Sequence, residues 1–200
     1  MKTLALEGSK RTEIGKKAAK ALRVNEQIPC VLYNAKENIH FATTQAAVRS
    51  LVYTPNVYIV ELNIDGEKTL AIKQDIQFHP VTDEILHIDF LPVTEKKPVV
   101  IDIPVKVKGL AEGVQQGGKL LLEMRYLKVR GLYTDLPDTL DVDVTSLTLG
   151  KTIQVKDLSF ENIEILNSPN AVVTSVKLTR AARAAAGEVE GVAEEAAAAE

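Results

Sequence analysis

Apolar and polar residues alternate along much of the first half of the chain, in runs short enough to be strands of a half-buried sheet. Asp65-Gly66 separates two of these runs and is a strong signal for a tight hairpin. His79-Pro80 ends the second of the two runs. The alternation predicts six strands, in order Thr3–Glu7, Ile28–Tyr33, Ile39–Ala42, Val57–Ile64, Lys68–Ile76 and Ile85–Phe90.

A helical periodicity occurs twice between these strands. The first helix is predicted to begin near Gly15, with one basic face made of Lys16, Lys20 and Arg23. Its opposite face is expected to pack through Ala18, Ala21 and Leu22. The second helix is predicted from Gln45 to about Val52, with Thr44 as N-cap and an apolar stripe of Ala47, Val48, Leu51 and Val52. Six strands and two short helices in residues 1–93 predict a small closed or nearly closed β-barrel.

The last strand of the predicted barrel has two different faces. His87 and Asp89 point to one side of it, and the other side is expected to enter the core through Leu86, Ile88 and Phe90. A strand whose opposite face is buried holds such polar side chains in fixed positions, as a recognition surface requires. On the fifth strand, strict alternation places Gln74 among the inward-facing residues, so Gln74 needs a β-bulge to face outward.

The second half of the chain is also β-rich and carries no strong helical periodicity. Turn signals, among them Gly109–Gly113 and a predicted hairpin turn at Gly117-Gly118, separate seven predicted strands. These strands are Val99–Val107, Leu120–Met124, Tyr126–Gly131, Leu140–Val144, Thr152–Val155, Ile163–Ile165 and Val172–Leu178. The fold class is therefore mainly β with short helices, an N-terminal six-stranded β-barrel followed by a C-terminal β-rich sandwich or open barrel.

Changes in composition suggest where the domains end. The segment Pro92–Pro98 is charged and bounded by prolines, so we expect one domain in residues 1–93 and a second in residues 94–180. Residues 181–200 are acidic, rich in Ala and Glu and poor in bulky apolar side chains. Such a segment cannot bury enough surface to hold a fold, so we expect a disordered tail.

A local basic cluster is hidden by the overall charge. The whole chain has a formal net charge of −3 at pH 7. Between Lys10 and Arg23, however, there are six Lys or Arg residues and a single acid, Glu13, which leaves five net positive charges. Clustering of this kind on one face indicates a polyanionic partner such as nucleic acid. For the helix alone, a charged face that only keeps the surface solvated is an equally good interpretation.

Residues for catalysis or metal binding do not form a pattern. His40, His79 and His87 are scattered, and none of the usual glycine-loop, nucleophilic-serine or zinc-helix motifs occurs. We therefore predict no catalytic residue, no metal, no cofactor and no small-molecule substrate. The acids of Asp135–Asp143 alternate with Leu and Val, which favours a solvent-facing strand edge over a catalytic carboxylate pair.

The single cysteine and the absence of long apolar runs bear on the compartment. Cys30 cannot form an internal disulfide, and its place in an apolar strand predicts a buried core residue. No run is long enough to cross a membrane, and the start of the chain lacks the apolar region of a signal peptide. We expect the protein in the cytoplasm, without a membrane partner.

His87 and Asp89 differ in what they can bind. A carboxylate only accepts hydrogen bonds, so on an RNA the targets of Asp89 would be base amino groups or 2′-hydroxyls, whereas His87 can donate. A surface pair whose members only orient each other is an equally open interpretation.

Four dispersed segments together resemble a known family. They are Arg11–Arg23 (RTEIGKKAAKALR), Ile28–Tyr33 (IPCVLY), Gln74–Pro80 (QDIQFHP) and His87–Phe90 (HIDF). Their order and spacing resemble the bacterial large-subunit ribosomal protein L25 family, also called the Ctc or general stress protein family. Further on, Pro104–Leu120 and Thr134–Leu158 are similar to the C-terminal β-domain of the long form of that family. The resemblance covers residues 3–178.

This resemblance implies an N-terminal six-stranded barrel that binds 5S ribosomal RNA in the central protuberance of the large subunit. Position by position, the implied RNA contacts are Arg11, Lys16, Lys20, Arg23, Tyr33, Gln74, His79, His87 and Asp89. Three positions depart from the family pattern: Asn34 stands where glycine is usual, Ala19 where serine is frequent and Phe78 where a basic residue is common. Each departure removes a possible contact.

We therefore expect a non-catalytic structural component of the large ribosomal subunit, with 5S ribosomal RNA and neighbouring ribosomal proteins as partners. The alternative is a non-ribosomal β-barrel adaptor that binds an acidic protein through the same basic face. RNA binding weakens steeply with salt because condensed counterions are released, and this dependence separates the two hypotheses.

Overall fold

The computed structural model describes residues 2–34, 37–95 and 97–179. Contacts divide the chain into two units, Met1–Ile103 with Arg130–Asp138 and Pro104–Val129 with Thr139–Glu200. The domain boundaries after residues 93 and 180 remain predictions. The tail predicted to be disordered, residues 181–200, lies outside the described residues.

Six strands of the first unit close into a barrel, as the alternation of the sequence predicts. They are β1 (Lys2–Lys10), β2 (Gln27–Leu32), β3 (Ile39–Thr44), β4 (Tyr58–Ile64), β5 (Glu67–Phe78) and β6 (Ile85–Pro92). The order around the barrel is β1-β3-β2-β6-β5-β4. The pairs β1–β4 and β2–β6 are parallel, and the other neighbours are antiparallel. Closure of the sheet leaves the barrel without a free strand edge.

Inward-facing residues from the six strands fill the barrel. Phe41 of β3 and Phe90 of β6 are fully buried, and their ring centroids lie 5.7 Å apart. Cys30 of β2 is also fully buried, and this burial raises the pKa of its thiol to about 12. A thiol with such a pKa stays protonated and unreactive at neutral pH, so the prediction of a core cysteine is confirmed.

The second predicted helix, α2 (Gln45–Val52), packs against this core. Val48 and Leu51 are 0% and 2% exposed, and the rest of the predicted stripe, Ala47 and Val52, is partly buried against the same cluster. The stripe is therefore confirmed. Thr44 occupies the N-cap position but makes no capping hydrogen bond through its side chain.

The first predicted helix, α1 (Lys16–Val24), contacts β2 without burying any of its residues. Ala18 and Leu22 are half-buried, as predicted, whereas Ala21 is exposed. The predicted packing face is thus only partly right, because the helix rests on the outside of a strand instead of covering an open core.

The turn between β4 and β5 has the conformation that its sequence predicts. Asp65 and Gly66 have φ angles of 49° and 94°, both in the left-handed region that a two-residue hairpin of type I′ requires. Glycine and aspartate tolerate this region better than most residues. This turn could therefore be predicted from its two central residues.

Pairing between β5 and β6 is interrupted twice. The register shifts between Lys73 and Asp75, so Gln74 is the extra residue of a bulge, and its side chain is exposed. This confirms the bulge that an outward-facing Gln74 needs.

The second interruption corrects the predicted core face of β6. Gln77 is opposite His87 but Phe78 is opposite Ile85, so Leu86 is the extra residue. Ile85 enters the core beside Ile88, whereas Leu86 is half-buried outside it. On one side of a bulge, the residues that would have faced inward face outward. Counting apolar positions along the sequence cannot show this.

Pro29 lies within the predicted strand Ile28–Tyr33, although proline cannot donate a backbone hydrogen bond to a neighbouring strand. The residue lies inside β2 opposite Ala42 and is buried. Pairing of β2 with β6 begins only at Cys30, so Pro29 lies in the part of the strand that has one neighbour. Proline is tolerated near the start of a strand for this reason.

The later strands form two sheets. They are β7 (Val99–Lys108), β8 (Lys119–Leu122), β9 (Tyr126–Gly131), β10 (Leu140–Asp143), β11 (Thr152–Gln154), β12 (Glu164–Ile165) and β13 (Val172–Lys177). One sheet has the order β10-β7-β9-β12 and the other β11-β13-β8. All seven predicted strands are confirmed, as is the mainly β fold class with an open second part.

Two short helical segments in this part were not predicted. The helix α3 (Glu112–Gln115) begins within the predicted turn, and a 3₁₀ turn spans Val155–Asp157. Gly117-Gly118 is not a hairpin turn but leads from α3 into β8, with the Gly118 N–H donating to the Gly113 carbonyl at 2.8 Å. A Cβ on Gly118 would lie 2.5 Å from that oxygen, so the close approach requires glycine.

Candidate nucleic-acid interface

A row of polar side chains crosses the outer surface of the barrel. Asp89 of β6 is in register with Val31 of β2 on one side and Asp75 of β5 on the other. His87, two residues earlier on the same face, is opposite Gln77 of β5. Because β6 lies between two paired strands, its outward side chains have fixed positions.

His87 and Asp89 form a close pair on this face. The Nδ1 atom of His87 lies 2.9 Å from Oδ1 of Asp89, and the two side chains are 22% and 17% exposed. Burial lowers the pKa of His87 below its ordinary value, the positive charges of Arg23 and Arg11 lower it further, and Asp89 opposes the shift. At neutral pH the imidazole is therefore uncharged.

Two atoms around this pair are buried without a hydrogen-bond partner among the described residues. One is Oδ1 of Asp89, and the other is Nε of Arg11. The Arg11 backbone N–H donates to the His40 carbonyl at 2.8 Å, and its Nη2 donates to the Glu13 carbonyl at 3.2 Å. Arg11 lies near enough to His87 for its charge to lower the pKa of the imidazole, and one donor and one acceptor around the pair lack a hydrogen-bond partner.

The start of α1 supplies a second set of donors. Gly15, the N-cap residue, has a φ angle of 130°, and no side chain caps the helix. Its first turn contains Lys16 and Lys17 but no acid, and the exposed Lys20 follows one turn later. Positive side chains at a helix N-terminus oppose the helix dipole, and an anion bound there reverses this cost.

Arg23, at the other end of α1, is engaged in the fold. Its Nε and Nη2 atoms donate to the Leu86 carbonyl of β6 at 3.1 Å and 2.9 Å. Leu86 is the extra residue of the second bulge, so the bulge offers a carbonyl to the helix. Arg23 therefore ties α1 to the strand that carries His87 and Asp89, and its remaining N–H groups are those that could reach a phosphate.

The other sequence-predicted contacts surround the same strands. Tyr33 is 43% exposed just after β2, where its N–H donates to the Phe90 carbonyl at 2.9 Å. Gln74 projects from its bulge in β5. His79 follows β5, and its Nδ1 accepts from the backbone N–H groups of Val81 and Thr82 at 3.3 Å and 3.2 Å. The His79 ring therefore shapes the loop that leads to β6.

Two neighbouring polar residues were missed by the sequence reasoning. Gln77 is exposed beside His87, and the half-buried His40 lies on β3 in the row that contains Val31. Gln77 could have been found from the sequence, because polar and apolar residues alternate over Asp75, Ile76 and Gln77 as they do along β6. No local signal places His40 in this row, because strand pairing alone brings it there.

Other chemistry finds little support in the described ranges. They contain no group of three or more His, Cys, Asp or Glu side chains that could hold a metal ion. None of their helices has the length and apolarity needed to cross a lipid bilayer. On β10, Asp141 and Asp143 are exposed while Leu140 and Val142 are buried, which confirms the predicted strand edge for this part of Asp135–Asp143.

Comparison with known proteins covers nearly the whole chain. The profile of the ribosomal L25p family matches residues 6–90, and that of the C-terminal domain of ribosomal protein TL5 matches residues 98–180. Large ribosomal subunit protein bL25 of Porphyromonas gingivalis is 57% identical over 188 residues, which cover 93% of this chain and 98% of the relative. The protein of the same name from Phocaeicola vulgatus is 53% identical over 193 residues, again with 93% and 98% covered.

Proposed function

The chain belongs to the ribosomal L25p family, and on this premise we propose that its barrel binds 5S ribosomal RNA through the outer face of β6 and the basic helix α1. The protein is a structural component of the large ribosomal subunit, not an enzyme, and as a ribosomal component it acts in the cytoplasm. The binding of 5S RNA and the residues that make the contacts are the proposed part.

The observation that carries this proposal is the pair of unsatisfied atoms beside His87. A buried donor or acceptor without a partner costs about 1–3 kcal/mol, so the Arg11 Nε and Asp89 Oδ1 atoms make the free protein less stable than it could be. A ribose 2′-hydroxyl both accepts and donates a hydrogen bond. Both atoms are buried in the free protein, so a 2′-hydroxyl can satisfy them only if binding moves the Arg11 and Asp89 side chains. An acidic protein side chain cannot donate to Asp89 unless it is protonated.

Phosphate contacts complete the proposed interface. We assign Lys16 and Lys20 to phosphates, since both are exposed on α1 and the first turn of this helix has uncapped N–H groups. Arg23 is assigned to a phosphate through the N–H groups that Leu86 does not engage. These contacts fix position on the RNA, and those of His87 and Asp89 select the site.

The remaining proposed contacts are Tyr33, Gln74 and His79, which lie around the same face. Asn34, Ala19 and Phe78 are expected to change the affinity rather than the identity of the site. We also propose that the domain ending at residue 93 contains the whole 5S site. The C-terminal domain, residues 94–180, would then contact neighbouring ribosomal proteins.

Replacement of Asp89 tests the proposal. Asp89→Ala should weaken binding to 5S RNA by about 1–3 kcal/mol, because hydrogen bonds to one specific site are lost. It should leave the slope of log affinity against log salt unchanged, because Asp89 touches no phosphate. Glu67→Ala, which removes an exposed acid at the start of β5, is the matched control and should not weaken binding.

The free protein provides a second readout. Asp89→Ala should leave its free energy of unfolding unchanged or slightly higher, since it removes a buried acceptor without a partner. Unchanged 5S affinity of Asp89→Ala would show that the His87–Asp89 pair is structural only. Affinity of the parent chain that does not fall with salt would favour the adaptor hypothesis.

A further inference from the structure

A cavity on the first unit takes no part in the face described above. It has a volume of about 570 Å³ and is lined by Glu26, Gln45, Ala46, Arg49 and Tyr53. This volume lies within the range of pockets that hold small organic ligands, about 300–1,000 Å³. The cavity can thus accommodate a group the size of a nucleotide.

One wall of the cavity is the polar face of α2. Gln45, Arg49 and Tyr53 follow one another at intervals of four residues, so they share one side of the helix. The opposite side buries Val48 and Leu51 in the barrel core, which fixes the rotation of the helix. Tyr53 is 57% exposed, so its ring is available to a ligand.

The other wall is Glu26, in the turn that follows α1. Its φ angle is 56°, a left-handed conformation that residues other than glycine seldom adopt. The turn is held from both sides, because the Glu26 N–H donates to the Arg23 carbonyl at 3.2 Å and its own carbonyl accepts from the Gln45 N–H at 3.0 Å. Strained residues held in this way occur often at binding sites.

These side chains match the groups of one ribonucleotide. An exposed tyrosine ring stacks on any base, and an arginine pairs with phosphate. A carboxylate can accept two hydrogen bonds at once from the N1–H and amino group of guanine, whereas adenine, cytosine and uracil offer only one donor group on the same edge.

We propose that this cavity binds a single unpaired guanosine of an RNA strand, with the base stacked on Tyr53 and its donor edge on the Glu26 carboxylate. Arg49 holds the adjoining phosphate. The inference deepens the proposed function and rests on it. The cavity lies beside the last turn of α1, because the Glu26 N–H is hydrogen-bonded to the Arg23 carbonyl, so it adjoins the helix to which the phosphate contacts are assigned.

Short RNAs test this site on the full-length chain. The probes are the labelled hexaribonucleotides UUUGUU and UUUUUU, and guanosine monophosphate as a competitor. We expect UUUGUU to bind about fivefold or more tightly than UUUUUU, and guanosine monophosphate to compete weakly because it lacks the neighbouring phosphates. Competition by the mononucleotide at the affinity of UUUGUU would overturn the assignment to an RNA strand.

Variants assign the contacts. Tyr53→Ala should weaken UUUGUU binding about fivefold or more, whereas Tyr53→Phe, which keeps the stacking ring, should bind normally. Glu26→Gln should remove the preference for UUUGUU over UUUUUU. Tyr126→Ala, which removes a tyrosine that is 45% exposed on β9, is the matched control and should change nothing.

Binding of 5S RNA by the same samples separates this site from the proposed function. If the parent chain binds 5S RNA but Tyr53→Ala binds UUUGUU normally, the cavity assignment is wrong and the proposed function stands. If UUUGUU binds with the expected dependence on Tyr53 and Glu26 while 5S RNA does not bind, the 5S assignment is wrong. Thermal unfolding of each variant, with Tyr53→Phe as the conservative reference, shows whether a loss of binding is a loss of folding.

Discussion

The two helices of the barrel unit have nearly the same length but are held in opposite ways. α2 places Val48 and Leu51 in the core, at 0% and 2% exposure. α1 buries none of its nine residues and is joined to β6 by the hydrogen bonds of Arg23 to the Leu86 carbonyl. One helix is part of the barrel core, and the other is attached to its surface.

This difference shows which helix has more of its surface available to a partner. A helix that packs through apolar residues has one face buried against the rest of the fold, and its stability depends on that packing. α1 keeps nearly its whole circumference in solvent and carries positive charges at its N-terminus, where they disfavour the helix unless an anion is bound. An anion bound at this N-terminus would therefore stabilise α1.

The largest contrast should appear in stability. Leu51→Ala in α2 should lower the free energy of unfolding by about 2–5 kcal/mol, because it leaves a cavity in the core. Leu22→Ala in α1 should cost less than about 1 kcal/mol, because Leu22 is only half-buried on the surface of β2. The midpoints of urea unfolding measure both losses of stability when the unfolding free energy falls with urea at the same slope in each variant. Similar losses in the two helices would show that α1 is as much a part of the core as α2.

RNA affinity should show the reverse contrast. Lys16→Ala and Lys20→Ala should each weaken 5S binding about fivefold near physiological salt and lower the salt slope by about 0.7–0.9, since each removes one phosphate contact. Stability should change by less than about 0.5 kcal/mol. Lys68→Ala, which removes an exposed lysine paired with Glu61 on the other side of the hairpin, is the control. A slope that stays the same for both α1 variants would contradict the phosphate assignment.

Arg23→Lys tests the attachment of α1. Lysine keeps the charge but cannot make the two N–H contacts with one carbonyl, so the attachment should weaken by about 1 kcal/mol. Hydrogen exchange of the α1 amides should then become faster while that of the α2 amides is unchanged. Lys20→Ala should leave exchange in both helices as it was. Unchanged exchange in Arg23→Lys would mean that packing on β2 alone holds the helix.

The smallest effect concerns pH. Because the pKa of His87 is lowered on folding, the unfolded chain binds more protons than the folded one once the pH drops below about 6.5. The contribution of His87 to stability is therefore complete above that pH and is lost as the pH falls through the lower pKa of the folded state. His87→Gln should flatten the stability profile in this window. Removing the positive charge by Arg23→Ala should raise the His87 pKa, measured by NMR of the imidazole.

Much of the barrel could be predicted because its signals are local. The alternation of strand residues, the Asp65-Gly66 turn and the four-residue stripe of α2 each depend on neighbours within a few positions. The polar face of β6 followed from the same alternation for His87 and Asp89. Where a bulge interrupts the pairing, as at Leu86, local counting assigned the wrong side chain to the core.

The sequence by itself determined the strands, the two helices of the barrel unit, the buried Cys30, the cationic side of α1 and the family. Only the tertiary structure decided that Arg23 binds the Leu86 carbonyl, that Arg11 Nε and Asp89 Oδ1 are left unsatisfied, and that Glu26 and Tyr53 line the same cavity. The reason is physical: periodicity follows from the backbone geometry of neighbouring residues, whereas these contacts join residues far apart in the chain. They depend on strand order, on register and on the bulges that shift the register.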